Sequence, residues 1–419
     1  MLSATGARAL YGTGQEVSDD HGGAAIRSLR PGAPRSSGTG RPVDHLRPLR
    51  PQRGASAASV GSAERGPVLY LVATAILAAL LIGALAAANY RLAPLSYSAA
   101  ALARVAETLA GGSNYAVFDL NLDMRELRRQ HIARLEAMPE VVVLGASHWQ
   151  EAHAELLPGR RFYNAHVHRD YYEDLLAVVE MLLRRDRLPP TLIMSIRDMT
   201  FQPVDRRTDT LWLTALPDYD AMATRLGIDR HSWFATRPAR RWSGLLSQSA
   251  TLDNAFRRLM AGSLPGPTRA RSLPTMDVLL TDGSIRWSDE HRAQFTAERA
   301  RREVELALEE RRNQAPQIDP AAVTAVDRLL DLLTRRGVRV ILIHPPFNPA
   351  FYRRVEDSAY GAGLRRVEAV TARLAAAHGA TVVGSFDPAA AGCLESMYID
   401  AEHSSPACLQ RVLDQVPGL

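Results

Sequence analysis

Hydrophobic and polar positions divide this chain into four unlike stretches. Residues 1–66 are rich in Gly, Ser, Ala, Pro and Arg and show no apolar period. Such a segment cannot bury enough surface to offset the entropy of ordering, so a disordered tail is expected. Val68–Ala88 then reads VLYLVATAILAALLIGALAAA, without a single charge. About 20 apolar residues suffice to cross a bilayer as a helix, so 67–90 is assigned as a transmembrane helix. A buried helix of a soluble domain and a cleaved signal peptide compete with that assignment, although the apolar core of a signal peptide is usually shorter. Residues 91–138 read as a helical connector, with Leu102, Val105 and Leu109 at helical spacing and a second helical run over 127–138.

From Glu140 onward short all-apolar runs alternate with amphipathic stretches. Strands are predicted at 141–144, 161–164, 191–196, 338–343 and 380–383. Helices are predicted near 171–185, stopped by Pro189-Pro190, and at 324–336 and 364–378; a further helix is expected to begin at Ser147. Apolar strands alternating with helices imply a three-layer α/β domain over 139–419 with a mostly parallel sheet. A segment at about 200–315 interrupts the alternation. It holds most of the Trp residues, a hairpin signal from Leu280 to Ile285 with Asp282-Gly283 at the turn, and a highly charged helix over 289–312. It is read as an insertion packed at the carboxyl edge of the sheet, where it could shape a cleft. For the charged helix alone a solvated face is the simpler expectation.

Charge sets the topology. Arg47, Arg50, Arg53 and Arg65 precede the apolar span, and only Arg91 and Arg104 follow at similar range. The positive-inside rule keeps the tail in the cytoplasm and exports everything after Tyr90. In a bacterium this is a single-pass inner-membrane protein with a periplasmic domain. The net charge is +5, yet no basic patch is interleaved with aromatics, so nucleic acid is not an expected partner. Every basic residue but His is Arg, which excludes a Ser-Lys dyad, a lysine Schiff base and a P-loop lysine.

The candidate chemistry lies at the two ends of the α/β domain. Val141-Val142-Val143-Leu144-Gly145-Ala146-Ser147-His148 leads a buried strand into a serine, and Tyr398-Ile399-Asp400-Ala401-Glu402-His403 returns an acid and a histidine three residues apart. In open α/β sheets, reacting groups sit beyond the carboxyl ends of the strands. There Ser147 would be the nucleophile, His403 its base and Asp400 the acid that fixes the imidazole tautomer. N–H groups at Ser147 or His148 would meet negative charge developing on the substrate. Each part also has a plainer reading: Ser147 as a helix N-cap, and the 400–406 segment as a polar exposed loop. Glu402 is a substitute acid by type, but its side chain is expected to point elsewhere. Cys393 and Cys408 flank this segment. They are either buried thiols or, in an oxidising compartment, a disulfide contributing about 3 kcal/mol by loop closure; the exported topology favours the disulfide. His148, His153, His166 and His168 lie near one another in sequence, but no second metal-spaced cluster completes a site. No metal and no cofactor are assigned.

These motifs resemble those of the SGNH/GDSL hydrolase-like superfamily. Gly145-Ala146-Ser147-His148 paired with Asp400-x-x-His403 is similar in particular to its membrane-anchored bacterial branch, which includes exopolysaccharide and alginate O-acetylation proteins. Phe162-Tyr163-Asn164 resembles the segment before the second family block. Leu192 to Asp198 resembles the strand leading to the third, and Ile343 to Pro349 a strand-end loop of this branch. The resemblance implies a flavodoxin-like sheet, no metal, and ester or acyl-transfer chemistry on carbohydrates or lipids. The chain departs from the family in two places. The second block lacks its Gly, reading Asn164 to Asp170, and the third lacks its Asn, reading Ser195-Ile196-Arg197-Asp198. Arg197 or Asn164 would have to donate to the oxyanion instead; an ionised Asp198 cannot. Losing one donor costs about 100–1,000-fold in rate. His148, Asn164, Arg197, Asp198 and His344 are therefore the candidate oxyanion or substrate-binding residues.

The resulting expectation is a serine esterase or O-acyltransferase acting on a cell-envelope or secreted polysaccharide, with other envelope polysaccharide-assembly proteins as partners. A non-catalytic carbohydrate-binding or scaffold component of such a complex is the alternative, motivated by the missing Gly and Asn. A lipid-directed esterase is a third reading.

Overall fold

The computed structural model describes residues 65–92, 98–118, 122–168, 170–203, 214–228, 265–311 and 315–419. The tail 1–64, Arg169 and the insertion residues Trp212, Trp233 and Trp242 lie outside the described residues. The first element is helix α1 (Arg65–Leu92), and its Val68–Ala88 stretch is long and apolar enough to cross a membrane.

The connector contains two helices and an unexpected strand. Ser98 caps helix α2 (Ala99–Ala110), accepting from the Ala101 N–H at 3.2 Å. Strand β1 (Asn114–Val117) follows, then helix α3 (Met124–Arg134), capped by Asp123. The expectation of a purely helical connector is thus corrected. β1 is stabilised by pairing with distant chain rather than by any pattern of its own.

The α/β region comprises β2 (Val141–Leu144), β3 (Phe162–Asn164), α4 (Tyr172–Leu183), β4 (Thr191–Ser195) and α5 (Leu216–Leu226). The interrupting segment supplies β5 (Gly266–Thr268), β6 (Asp277–Leu279), β7 (Ile285–Arg286), α6 (Asp289–Ala293) and α7 (Ala297–Arg311). The chain closes with α8 (Pro320–Arg335), β8 (Arg339–His344), α9 (Pro349–Val355), α10 (Ala359–His378), β9 (Thr381–Gly384) and α11 (Pro406–Leu413).

Five strands pair in parallel in the order β3-β2-β4-β8-β9. The chain steps one way from β2 to β3 and then the other way from β4 onward. The switch point therefore lies between the carboxyl ends of β2 and β4, where a doubly wound sheet opens a crevice. Both faces are covered. Val142, Leu144, Leu192, Met194, Val340 and Leu342 join the core formed with α4, α8 and α10. Val141, Val143, Ile193, Ile341, Ile343 and Val383 pack with Trp149, Leu157 and α11 residues Leu409, Val412 and Leu413. Strands buried on both faces explain why these runs are continuously apolar.

A second, antiparallel sheet has the order β5-β1-β6-β7. Its β6–β7 hairpin forms at the predicted turn, with Leu279 opposite Ile285 and Gly283 at φ +81°. The expected charged helix breaks between Ala293 and Ala297 into α6 and α7. The sheet is tied to the parallel region by main-chain bonds: the Asn164 N–H donates to the Asp282 carbonyl and the Ile285 N–H to the Gln150 carbonyl, each at 2.7 Å.

Candidate functional site

Strand β2 delivers Ser147 to the switch point through Gly145 and Ala146. A Cβ on Gly145 would lie 2.8 Å from the Ser195 Cβ and 2.8 Å from Cδ1 of Trp149, so a side chain there cannot fit between β4 and the returning Trp ring. Ser147 does not begin an α-helix as expected. It opens a single 3-10 turn, Ser147–Trp149, in which the Trp149 N–H donates to the Ala146 carbonyl at 3.0 Å. The apolar pull of Trp149, fully buried in the core, closes the turn early. The N–H groups of Ser147 and His148 precede the first one that the turn satisfies, as at any helical N-terminus.

The 400–403 turn is shaped by Asp400. Its Oδ1 accepts from the Glu402 and His403 N–H groups, both at 2.7 Å, and its Oδ2 lies 2.6 Å from His403 Nδ1. Around it, the Ile399 N–H donates to the His403 carbonyl at 3.0 Å, and Asn348 Nδ2 donates to the Asp400 carbonyl at 2.9 Å. Cys393 and Cys408 are joined, with an S–S distance of 2.07 Å. This cross-link spans the turn.

The two ends of the domain meet. Ser147 Oγ lies 2.8 Å from His403 Nε2. Burial raises the Asp400 pKa, but the His403 ring and its hydrogen bonds outweigh it and hold the carboxyl below its ordinary value. An ionised Asp400 only accepts, so His403 Nδ1–H donates to it. That leaves the Nε2 lone pair to accept the Ser147 hydroxyl proton. Ser147, His403 and Asp400 thus form one hydrogen-bonded chain, an arrangement suited to a nucleophile, its base and an orienting acid.

The other predicted residues divide. His148 is buried, its ring stacked on that of His403 with centroids 5.1 Å apart, and its Nε2 lies 3.1 Å from Glu402 Oε2. Burial, reinforced by Arg197 and His403, lowers its pKa well below the usual imidazole value. Arg197 is buried as well and donates through Nη2 to Glu402 Oε2 at 2.8 Å. Asp198 accepts from the Tyr360 hydroxyl. Burial pushes the Asp198 pKa up, but Arg311 and Arg197 outweigh it and the net shift is downward.

Asn164 is a correction. Its amide Nδ2 donates to the Trp149 and Ala152 carbonyls, at 2.5 and 3.0 Å, and its Oδ1 accepts from the His166 N–H at 3.0 Å. Fully buried and committed on both sides, it holds the serine turn to β3 and has no donor to offer an oxyanion. His344 is 1% exposed and donates Nδ1–H to the Ile196 carbonyl at 3.0 Å, so it belongs to the strand-end packing and does not line an open cleft. His153 and His166 are likewise engaged, the first with Ser284 and the second with Asn164 and Arg128.

Arg311 was not foreseen. The last residue of α7 pairs with Glu402 and hydrogen-bonds the Tyr360 hydroxyl at 3.2 Å. The charged helix is solvated along most of its length, with only Val304 buried, but its end enters the site. The Arg311 guanidinium is received by Phe347, Phe351 and Tyr360, aromatics far from it in the chain that give no local signal. Comparison with protein-family models, curated proteins and solved structures finds no match to this chain.

Proposed function

We propose that the protein is a membrane-anchored serine hydrolase or O-acyltransferase of the SGNH kind. The observation that carries this reading is the continuous Ser147–His403–Asp400 hydrogen-bonded chain beyond the carboxyl ends of β2 and β4. The strand order β3-β2-β4-β8-β9 supports it, being the flavodoxin-like order of that superfamily.

In the reaction, His403 Nε2 takes the Ser147 proton as Oγ bonds to the ester carbonyl carbon. Asp400 stabilises the imidazolium. The Ser147 and His148 N–H groups face the oxyanion, the Asn164 amide being engaged with the Trp149 and Ala152 carbonyls and Arg197 Nη2 with Glu402. Collapse of the tetrahedral adduct breaks the ester bond, and His403 returns the proton to the leaving alkoxide. Water or an acceptor hydroxyl then attacks the acyl-serine, losing its proton to His403, which returns it to the departing Ser147 oxygen. An acyl group, acetyl in the simplest case, on a cell-envelope or secreted polysaccharide is the proposed substrate. That choice rests on the family resemblance and on the topology proposed with it, in which the domain lies on the exported side of a bacterial inner membrane beside other polysaccharide-assembly proteins.

The committed Asn164 amide favours a second reading, a carbohydrate-binding scaffold that keeps the fold without turnover. A fluorophosphonate probe on the purified full-length protein separates the two. Covalent labelling mapped to Ser147 and lost in Ser147→Ala is the expected result. Unlabelled protein that still binds polysaccharide would decide for the scaffold.

A further inference from the structure

Asp400 and Glu402 lie two residues apart in one turn, and their side chains leave it in different directions. Asp400 engages His403. The Glu402 carboxylate is held by three groups from three separate parts of the chain. Its Oε2 lies 2.8 Å from Arg197 Nη2, beyond β4, and 3.1 Å from Nε2 of His148, the neighbour of Ser147. Its Oε1 pairs with Nη2 of Arg311, at the end of α7. Arg311 is itself fixed, its guanidinium 5.8, 5.7 and 5.9 Å from the Phe347, Phe351 and Tyr360 rings. The circuit closes on the base: the His148 ring lies parallel to His403 within 23°.

We propose that Glu402 is the positioning residue of the triad, and that the insertion completes the site through Arg311. Clamped between Arg197, Arg311 and His148, Glu402 fixes the 400–403 turn and holds the His403 ring in line with Ser147. The side chains involved are 4%, 16% and 12% exposed for Arg197, Arg311 and Glu402, so this is not a solvated surface pair of negligible worth. Removing one member leaves a buried charge uncompensated, and the turn moves to relieve it. Displacing a reacting group by about 1 Å costs on the order of 100-fold in rate. The rate prediction rests on the serine-nucleophile reading, whereas the ring placement does not.

The test uses the full-length protein in detergent and two readouts. The first is the rate of fluorophosphonate labelling at Ser147. Glu402→Gln and Arg311→Ala are expected to slow it by about 10–100-fold, with probe affinity unchanged. Arg311→Lys, which keeps the charge, recovers much of that loss, and the Glu402→Gln/Arg311→Ala double variant falls little below either single one, as for two parts of one device. The second is the low-field proton resonance of the His403 Nδ1–H···Asp400 hydrogen bond, assigned by its loss in His403→Gln. It is expected to shift or broaden in Glu402→Gln and Arg311→Ala, whether or not the protein turns over substrate. Labelling at the parent rate in both variants overturns the proposal and leaves the proposed function standing. If the parent protein does not label, the function fails on its own, and an unchanged resonance in folded Glu402→Gln then overturns the positioning role as well.

Discussion

In the five-stranded parallel sheet the inner strands β2, β4 and β8 are buried on both faces, and their apolar runs mark them out along the chain. In the four-stranded antiparallel sheet, β1 sits between β5 and β6, strands that enter the chain long after it, with Tyr115 opposite both Pro267 and Leu279. The two sheets also divide the labour. The carboxyl edge of the first carries Ser147 and Arg197 and faces the turn of Asp400 and His403. The second supplies backing: the hairpin carbonyl of Gly283 accepts from Arg128 Nη2 at 2.7 Å, and the same Arg128 donates to the His166 carbonyl beyond β3 at 2.9 Å. Chemistry should therefore be separable from support by mutation.

The largest effect is expected at the chemical end. Asp400→Asn keeps the shape of the turn but presents an amide to His403 Nδ1 and favours the wrong tautomer. The labelling rate at Ser147 should fall by about 10⁴-fold, the scale of that error in a serine triad. The melting temperature should change little by comparison. A rate within tenfold of the parent would show that Asp400 does not orient the base. On the supporting side, Leu279→Ala should do the reverse. Leu279 is 2% exposed and packs in the cluster of Leu102, Val105, Leu109 and Ile285. Its truncation should cost about 2–5 kcal/mol in urea unfolding, with labelling per folded molecule preserved. Loss of labelling without loss of stability would erase the division between the two sheets.

A third variant probes where the two roles overlap. Gly145→Ala drives a methyl group to 2.8 Å from both Ser195 Cβ and the Trp149 ring. Overpacking of this kind costs about 1–3 kcal/mol, and here the strain falls on the turn that carries Ser147. Stability and labelling should fall together, and a variant with only one of the two defects would show that the turn relaxes independently of β4.

How much of this was written locally follows the same division. The parallel strands were legible because 141–144, 192–194 and 340–343 are apolar on both faces, a pattern that needs no knowledge of partners. The Ser147 and Asp400/His403 motifs were legible because strand-tip serine and Asp-x-x-His spacings are local. β1 was not, since a four-residue strand has too little period to distinguish it from a connector, and its partners are chosen by tertiary packing. Nor was the 3-10 turn at Ser147, where burial of Trp149 overrides helical propensity. Arg311 could not be singled out among the many arginines of a charged helix, because what selects it is a pocket of aromatics from other elements. The mistaken role for Asn164 has the same origin, its carbonyl partners lying in a turn whose shape the sequence does not display.

The smallest expected effect tests the seam between the two sheets. His153 lies in the loop after Ser147, with its Nδ1 2.9 Å from Ser284 Oγ of the hairpin. The Ser284 hydroxyl donates to Asp282, so it accepts from His153 Nδ1–H. Burial, with Arg286, Arg292 and Arg271 nearby, lowers the pKa of the His153 ring to about 3. In the unfolded chain the same ring titrates near 6.5. Between these values the unfolded state takes up a proton that the folded state refuses. The contribution of His153 is therefore complete above about pH 6.5 and declines as pH falls towards 3, by about 1.4 kcal/mol per pH unit. His131, whose pKa burial also lowers to about 3, acts with the same sign and is untouched by substitution at 153. Glu151 and Asp170, whose pKa values burial raises to about 7, act with the opposite sign. The readout is therefore a difference: in urea unfolding at pH 7, 6 and 5 the parent should lose stability more steeply than His153→Gln, by one proton. Parallel lines would mean that the folded protein already accepts the proton at His153, and that the hairpin does not seal the ring from water.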